Sequence, residues 1–339
     1  MSTSQTELKD LGEFKLIENI TQDFKLHHSN SLYGIGDDAA VIDTGSFYTL
    51  VTTDMLVEKV NFDLTYCPLK HIGYKAVVSN IADILAMNGT PEQITVSIAI
   101  SNRFTLEAIR ELYQGIYRAC EHYKIDLIGG DTTSSTSGLI LSITAIGKVA
   151  KEKLCLRKGA KPYDLICVTG DLGAAYLGLQ ILNREKKLFE ADPHMQPKLE
   201  PYQYLIERQL KPEARTETIQ LFDQLSIVPS SMIDISDGLA SELLHISKAS
   251  NVGIAIYENK LPIHQETHTT ADALHMSPTL CALHGGEDYE LLFTISQSEL
   301  TKIEKHPSIH VIGYITDPSL GVKLITNSEE AVDITAQGW

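Results

Sequence analysis

The period of the apolar positions changes several times along this 339-residue chain, and each change marks a candidate element. Leu8, Leu11, Phe14, Ile17 and Ile20 recur at helical spacing and predict an opening helix within 7–24. "DDAAVID" and "FYTLVTTDML" follow as β-rich runs. Over 68–88, Ile72, Ala76, Val77, Ile81, Ile84 and Leu85 form one apolar side of a helix. On the same helix Lys75, Ser79 and Asp83 make a polar stripe at i, i+4 spacing. A strand "ITVSIAI", a helix over 106–123, a strand "IDLIGG" and a buried strand over 139–149 complete the first half.

The charged, Gly/Pro-bearing segment 151–164 predicts a connection, dividing the chain into domains 1–150 and 151–339. Beyond it come a strand "DLICVTG", a Gly/Ala-rich helix over 173–183 and a long polar stretch over 184–215. "SSMIDIS" and "GIAIY" read as strands on either side of a helix "DGLASELLHISKAS". "YELLFTI" and "HVIGYI" read as strands around a helix over 297–306. The fold class is therefore α+β. In each half a strand ends in an Asp-bearing loop before a helix, which points to two related halves.

Charge narrows the function classes. Forty-four acidic against 28 basic residues give a net charge of −16, which argues against unaided binding to nucleic acid or an anionic membrane. The longest apolar run, "GLILSITAIG" at 138–147, is too short to span a bilayer. Five scattered cysteines without a C-x-x-C spacing argue against a disulfide framework or a zinc ribbon. The polar, acidic opening "MSTSQTELKDLGEF" has no signal-peptide pattern, so a cytoplasmic location is expected.

Carboxylates recur beside glycine at the ends of apolar runs. They are Asp37 and Asp38 in "GIGDDAA", Asp54 in "VTTDM", Asp131 in "LIGGDTT", Asp234 and Asp237 in "IDISDG", and Glu287 and Asp288 in "HGGEDYE". Asp83 joins them from the helix over 68–88. A single such Asp is explained by a turn or a helix cap. The whole set suits hard divalent cations shared with phosphates, above all Mg²⁺. Bound dications would let phosphates approach an otherwise anionic site. No G-x-x-x-x-G-K-[ST], H-R-D or D-F-G occurs, which excludes a P-loop NTPase and a protein kinase. "HQETH" at 264–268 lacks the zincin order and follows Pro262 in an expected polar loop, so His264 and His268 are set aside. His27 and His28 read as surface residues.

"GIGDDAAV", "TTDMLVE", "YKAVVSNIADILAMNGTPE", "LIGGDTT", "IDISDGLASEL" and "GGEDYELLF" occur in that order from about residue 12 to the end. This combination resembles the thiamine-monophosphate kinases, within the aminoimidazole-ribonucleotide-synthetase-like ATP-binding superfamily. The resemblance implies two α/β-sandwich-type domains, the N-terminal one pairing in a homodimer, with ATP in the cleft between domains. It implies ATP-dependent phosphorylation of thiamine phosphate to thiamine diphosphate. By motif, Asp38, Thr52, Thr53, Asp54, Asp83, Asp131, Asp234 and Asp237 would hold several Mg²⁺ ions. Gly130, Asp131, Arg157, Ser236 and Tyr113 would meet ATP; Glu287 and Trp339 would meet the thiamine moiety. Asn61 stands where the family commonly has a substrate-side histidine, and Ala82 in "NIAD" stands where a serine precedes the aspartate.

The acceptor phosphate, with a second pKa of about 6, is already an anion near neutral pH and needs no general base. Direct transfer without a phospho-enzyme is therefore expected. Related synthetases fit less well. Cys67 is the first cysteine, far from the N-terminal position used by selenophosphate synthetases, and the chain ends in "AQGW" rather than the cysteine of hydrogenase-maturation relatives. A nucleotide-binding regulator without catalysis is disfavoured by the intact carboxylate set.

Overall fold

The fold is described from a computed structural model, over residues 12–336. The first half runs α1 (Gly12–Thr21), β1 (Ser31–Tyr33), β2 (Ala40–Asp43), β3 (Tyr48–Val57), α2 (Leu69–Ala86), β4 (Thr90–Ile100), α3 (Leu106–Tyr123), β5 (Asp126–Ser134) and β6 (Leu139–Val149). Its six strands form one mixed sheet in the order β1-β2-β3-β6-β4-β5, with only β4 and β5 parallel. Strand alternation puts Leu50, Leu56, Ile94, Val96, Ile98, Leu141 and Ile143 on an inner face, all buried. Helix α2 packs on that face and is buried almost all round; α3 covers it from outside. A methyl group at Gly115 would lie 1.9 Å from the Lys70 carbonyl, so only glycine permits α2 and α3 to approach this closely.

The strand expected to be fully buried, β6, is buried on one face only, because residues 140, 142, 144 and 146 point outward. That outer face carries polar rows beside Met55, Ile140 and Ile146: Thr53 pairs with Thr144, which pairs with Thr95, and Met55 pairs with Ser142, which pairs with Ser97 and onward to Asp131. No described helix packs on it.

The second half runs β7 (Leu165–Thr169), α4 (Ala174–Ala191), α5 (Gln203–Leu210), α6 (Thr216–Leu225), β8 (Ser231–Asp234), α7 (Leu239–Ser250), β9 (Gly253–Tyr257), α8 (Gln265–Ala273), α9 (Pro278–His284), β10 (Leu291–Ile295), α10 (Leu300–Ile303), β11 (Ile309–Thr316), β12 (Val322–Ile325) and β13 (Ala331–Asp333). Its seven strands follow the order β13-β12-β9-β11-β7-β10-β8. Alternation splits its side chains between two cores. Cys167, Met232, Leu291, Phe293 and Ile295 join the core of the first sheet, with Phe222 of α6 edge-on to Phe293. Ile166, Val168, Ile233, Leu292 and Ile254 meet α7 on the other face.

Two expectations are corrected. The polar stretch 184–215 is largely helical, comprising the end of α4 and all of α5. Its charged residues are used internally: Glu185 pairs with Arg184 and accepts from Lys198 N–H, and Arg208 is held by Glu290. "HQETH" belongs to α8 and its cap rather than to a loop. The His264 ring accepts from the Glu266 N–H and lies 4.1 Å from the Tyr204 ring.

Candidate functional site

The site lies where the β1–β2 turn, β3, α2 and the end of β8 meet, between the two sheets. Gly36, at φ +122°, makes the turn that brings Asp37 and Asp38 inward. Carboxylate oxygens of Asp38, Asp83 and Asp234 lie within 4.8 Å of one another. Asp38 and Asp234 are buried, and one Asp38 oxygen, Oδ2, has no protein partner. Three such groups are a costly arrangement for anions alone. Burial pushes each carboxyl up: Asp83 well up, helped by Asp234, Asp54 and Asp38, and Asp234 well up, helped by Asp38 and Asp54. For Asp38, Arg157 opposes the effect of burial without cancelling it.

Arg157 supplies the local positive charge. Its Nη2 lies 2.5 Å and its Nε 3.0 Å from Asp38 Oδ1. Its backbone N–H donates to Asp37 at 3.2 Å. Asp37 thus fastens the segment that carries Arg157, while Asp38 faces the cluster. Burial, and then the charge of Asp38, raise the Asp37 carboxyl to about 6.

Helix α2 and strand β3 hold the next carboxylates. Thr52 donates to Asp83 Oδ2 at 2.6 Å, so a hydroxyl reaches Asp83 from the sheet although Ala82 lacks one. The Asp54 N–H donates to Asn80 Oδ1 at 3.0 Å, and the Ser79 hydroxyl bonds the Asp54 carboxylate. Burial raises Asp54, with the Ser79 hydrogen bond opposing and Asp237 adding to the rise. At the end of β8, Glu242 Oε1 accepts the N–H groups of Ser236 at 3.2 Å and Asp237 at 2.8 Å, shaping the loop after Asp234. Asn80 and Glu242 were not among the residues picked out from the sequence. The polar residue three before Asp83 and the glutamate five after Asp237 were the available signals.

Some expected residues lie elsewhere. The Thr53 hydroxyl is on the outer face, bonded to the Ile143 carbonyl at 3.0 Å, because neighbours of Thr52 and Asp54 point the other way. Gly130 and Asp131 lie within the exposed edge strand β5, not in a loop, and Asp131 pairs with outward-facing Ser97. Asp54 likewise lies inside β3 rather than in a loop. Tyr113 sits on α3 with its ring 5.9 Å from Tyr117, and burial, then Tyr117, push its hydroxyl up. Unlike Asp54, which faces Asp83 and Asp234, the Thr53 hydroxyl, Gly130, Asp131 and Tyr113 are not among the groups gathered at the carboxylate cluster within one chain. Trp339 lies outside the described residues.

A second polar group lies at the N-terminal end of the α2 stripe. Lys75 Nζ is 2.9 Å from Glu287 Oε2 and donates to the Gln209 carbonyl at 3.2 Å. Gln209 Nε2 donates to the same Glu287 oxygen at 2.7 Å. Glu287 adopts a left-handed backbone, φ 59°. Asn61 lines a small hollow together with Lys75 and Gln209, and accepts the Val57 N–H through Oδ1 at 3.0 Å, leaving its amide N–H₂ to donate. Behind it, Glu290 is buried between Arg208 and Arg215 and accepts from Thr169 at 2.6 Å.

These two sheets and their buried carboxylates define the class. Residues 36–149 match the AIR synthase related protein, N-terminal domain. Hydrogenase maturation protein HypE in complex with ATP shares the fold, at TM-score 0.68 and 17% identity over 98% of this chain and 99% of that one. Closer similarity is found among thiamine-monophosphate kinases. That of Bacillus subtilis is 36% identical over 97% of this chain and 99% of its own length; that of Aquifex aeolicus is 32% identical over 92% and 97%. The solved structure of AaThiL complexed with AMPPCP and TMP superposes with TM-score 0.84 at 30% identity, covering 99% of each chain. The chain belongs to the thiamine-monophosphate kinase family.

Proposed function

We propose that this protein transfers the γ-phosphoryl group of ATP to thiamine phosphate, forming thiamine diphosphate and ADP. The observation that carries this reading is the convergence of Asp38, Asp83 and Asp234, in a family member, on one point beside Arg157. The donor set is all oxygen, and Asp38 keeps a buried oxygen free, which fits Mg²⁺. Bound there, Mg²⁺ would neutralise phosphate charge and hold the donor in line. Asp54 and Asp237 extend the set, and Thr52 orients Asp83. Arg157 would leave Asp38 in part to meet a nucleotide phosphate, with Ser236 beside it.

An acceptor-phosphate oxygen then attacks the γ-phosphorus, and the bond to the β,γ-bridging oxygen breaks, leaving ADP. The attacking oxygen is already ionised, so no protein base is required, and no phospho-enzyme forms. Glu287, held by Lys75 and Gln209, suits the cationic thiazolium ring, and Asn61 suits the other end of the same substrate. Trp339 would add a stacking surface.

Gly130, Asp131 and Tyr113 could serve a nucleotide only if a second copy brought them to it, and the uncovered outer face of the first sheet, with Met55 exposed among threonines and serines, suits such pairing. We infer a homodimer on that ground, with domains 1–150 and 151–339 in each chain. Five buried free cysteines suit a cytoplasmic setting. The test is incubation with ATP, MgCl₂ and thiamine phosphate. Thiamine diphosphate and ADP are expected in equal amounts; no product at any Mg²⁺ concentration overturns the reading. Rapid quenching with labelled ATP is expected to trap no phospho-protein.

A further inference from the structure

Beyond Asp234 the chain makes a short turn and enters α7 at Leu239, so a helix start lies beside the carboxylate cluster. The first N–H groups of a helix are an ordinary anchorage for phosphate. Here they are already taken. Glu242, in the first turn of α7 and 2% exposed, reaches back so that its Oε1 accepts the N–H groups of Ser236 at 3.2 Å and Asp237 at 2.8 Å. On the other side, the Ser236 carbonyl accepts the Glu287 N–H at 2.7 Å, and the Ile235 carbonyl accepts the Tyr289 N–H at 2.9 Å. The backbone of Ser236 is thus used in both directions, leaving its hydroxyl as its one donor for a ligand. Ser236 is half-buried and Asp237 exposed, whereas Glu242 is buried. The turn offers side chains outward and keeps its amides inward.

Helix capping alone does not account for Glu242. Helices α3 and α9 are capped by the hydroxyls of Thr105 and Ser277, which bury no charge. At α7 the cap position is Gly238, without a side chain, and a carboxylate is buried instead. Its second oxygen, Oε2, is buried with no hydrogen-bond partner, and Asp237 and Asp234 are its charged neighbours. An anion set against two others is a poor arrangement for stability by itself. It becomes useful where a turn must show carboxylates to cations and withhold its amides from bare phosphate.

Resting on the functional reading above, we propose that Glu242 is a positioning residue for the Mg²⁺–nucleotide complex. By holding the amides of Ser236 and Asp237, it aims the Ser236 hydroxyl and the Asp237 carboxylate away from the helix and toward the cleft. Without it the turn is free to rotate, and both side chains lose their direction.

The test is calorimetric binding of AMPPCP, a non-hydrolysable ATP analogue, in excess Mg²⁺, with thermal melts of each variant. Glu242→Ala should weaken binding about tenfold or more. Glu242→Gln keeps an acceptor oxygen at the same reach and should recover most of that loss. Glu242→Asp keeps the charge but is one carbon too short to hold both amides, so it should resemble alanine; it carries the test if the alanine variant does not fold. Ser277→Ala, which removes an ordinary cap, should lower the melting temperature and leave AMPPCP affinity unchanged. Wild-type affinity in folded Glu242→Ala or Glu242→Asp, or a glutamine variant as weak as alanine, overturns this proposal alone. A wild-type protein that binds no AMPPCP in Mg²⁺ instead overturns the functional reading beneath it.

Discussion

Glu290→Gln is the sharpest test of how the second half holds Arg208 and Arg215 in place. Glu290 is fully buried and carries the countercharge for two guanidinium groups, Arg208 and Arg215, whose side chains are 12% and 15% exposed. Its Oε2 also accepts from Thr169 at 2.6 Å. Glutamine keeps the shape and one acceptor oxygen but removes the charge. Breaking a buried ion pair from one side costs roughly 3–5 kcal/mol, since the partner stays buried and uncompensated. Two features reduce that figure here: Arg215 also reaches Glu217 at 3.4 Å, and Arg208 also donates to the Asp171 carbonyl at 3.0 Å. A loss of about 3 kcal/mol at pH 7 is therefore expected. The two arginines and Thr169 hold the Glu290 carboxyl below the ordinary range against the effect of burial. A lowered folded pKa gives stability that is present above the unfolded value and lost as pH falls through the folded one. The difference between wild type and variant should therefore shrink below pH 4.5. Urea unfolding at pH 7 and at progressively lower pH reads both effects, with unchanged m-values confirming a common unfolding reaction. A loss below about 1 kcal/mol at pH 7, or one independent of pH, would refute the assignment of Glu290 as the countercharge.

Three further outcomes are expected. Metal-free protein should lose stability as pH rises from 4 past about 6, because burial raises Asp37 and the cluster carboxyls, and their stabilising protonated forms are lost in that direction. Mg²⁺ should restore stability most at the higher pH, as thermal melts with and without EDTA would show; equal recovery at pH 5 and pH 8 contradicts this. Thr52→Val removes the hydrogen bond that orients Asp83, and should lower kcat about tenfold with the fold intact, while wild-type kcat would rule out that role. His264→Ala should leave kcat and KM unchanged and cost about 1 kcal/mol or less, through loss of the helix cap. Loss of turnover on that substitution would restore the histidine as a functional group.

The sequence was most readable where burial and chemistry followed the period of one element. The helix expected over 68–88 is found at Leu69–Ala86 and the one over 106–123 at Leu106–Tyr123, because their apolar faces meet apolar neighbours. The polar stripe on α2 was visible, but not that Lys75 at one end pairs with Glu287 while Asp83 at the other joins Asp38 and Asp234. The stretch 184–215 hid α5 because its inward residues include Arg208 and Gln209, satisfied by ion pairs and hydrogen bonds that no hydropathy pattern records. Thr53 and Thr52 are equal as motif letters; only the pleat of β3 places their hydroxyls on opposite sides. Asp131 shows the same limit, since a motif says nothing about which face of a sheet its side chain takes.

Helix α2 also acts as a ruler. Lys75, Ser79 and Asp83 mark it at one-turn intervals, and its burial on nearly all sides leaves little room to slide or bend. One residue inserted between Lys75 and Asp83 would rotate everything beyond it by about 100° and lift it about 1.5 Å. The carboxylate would leave the cluster, or the ammonium would leave the hollow. Insertions should be tolerated in the surface loops but not in this one segment.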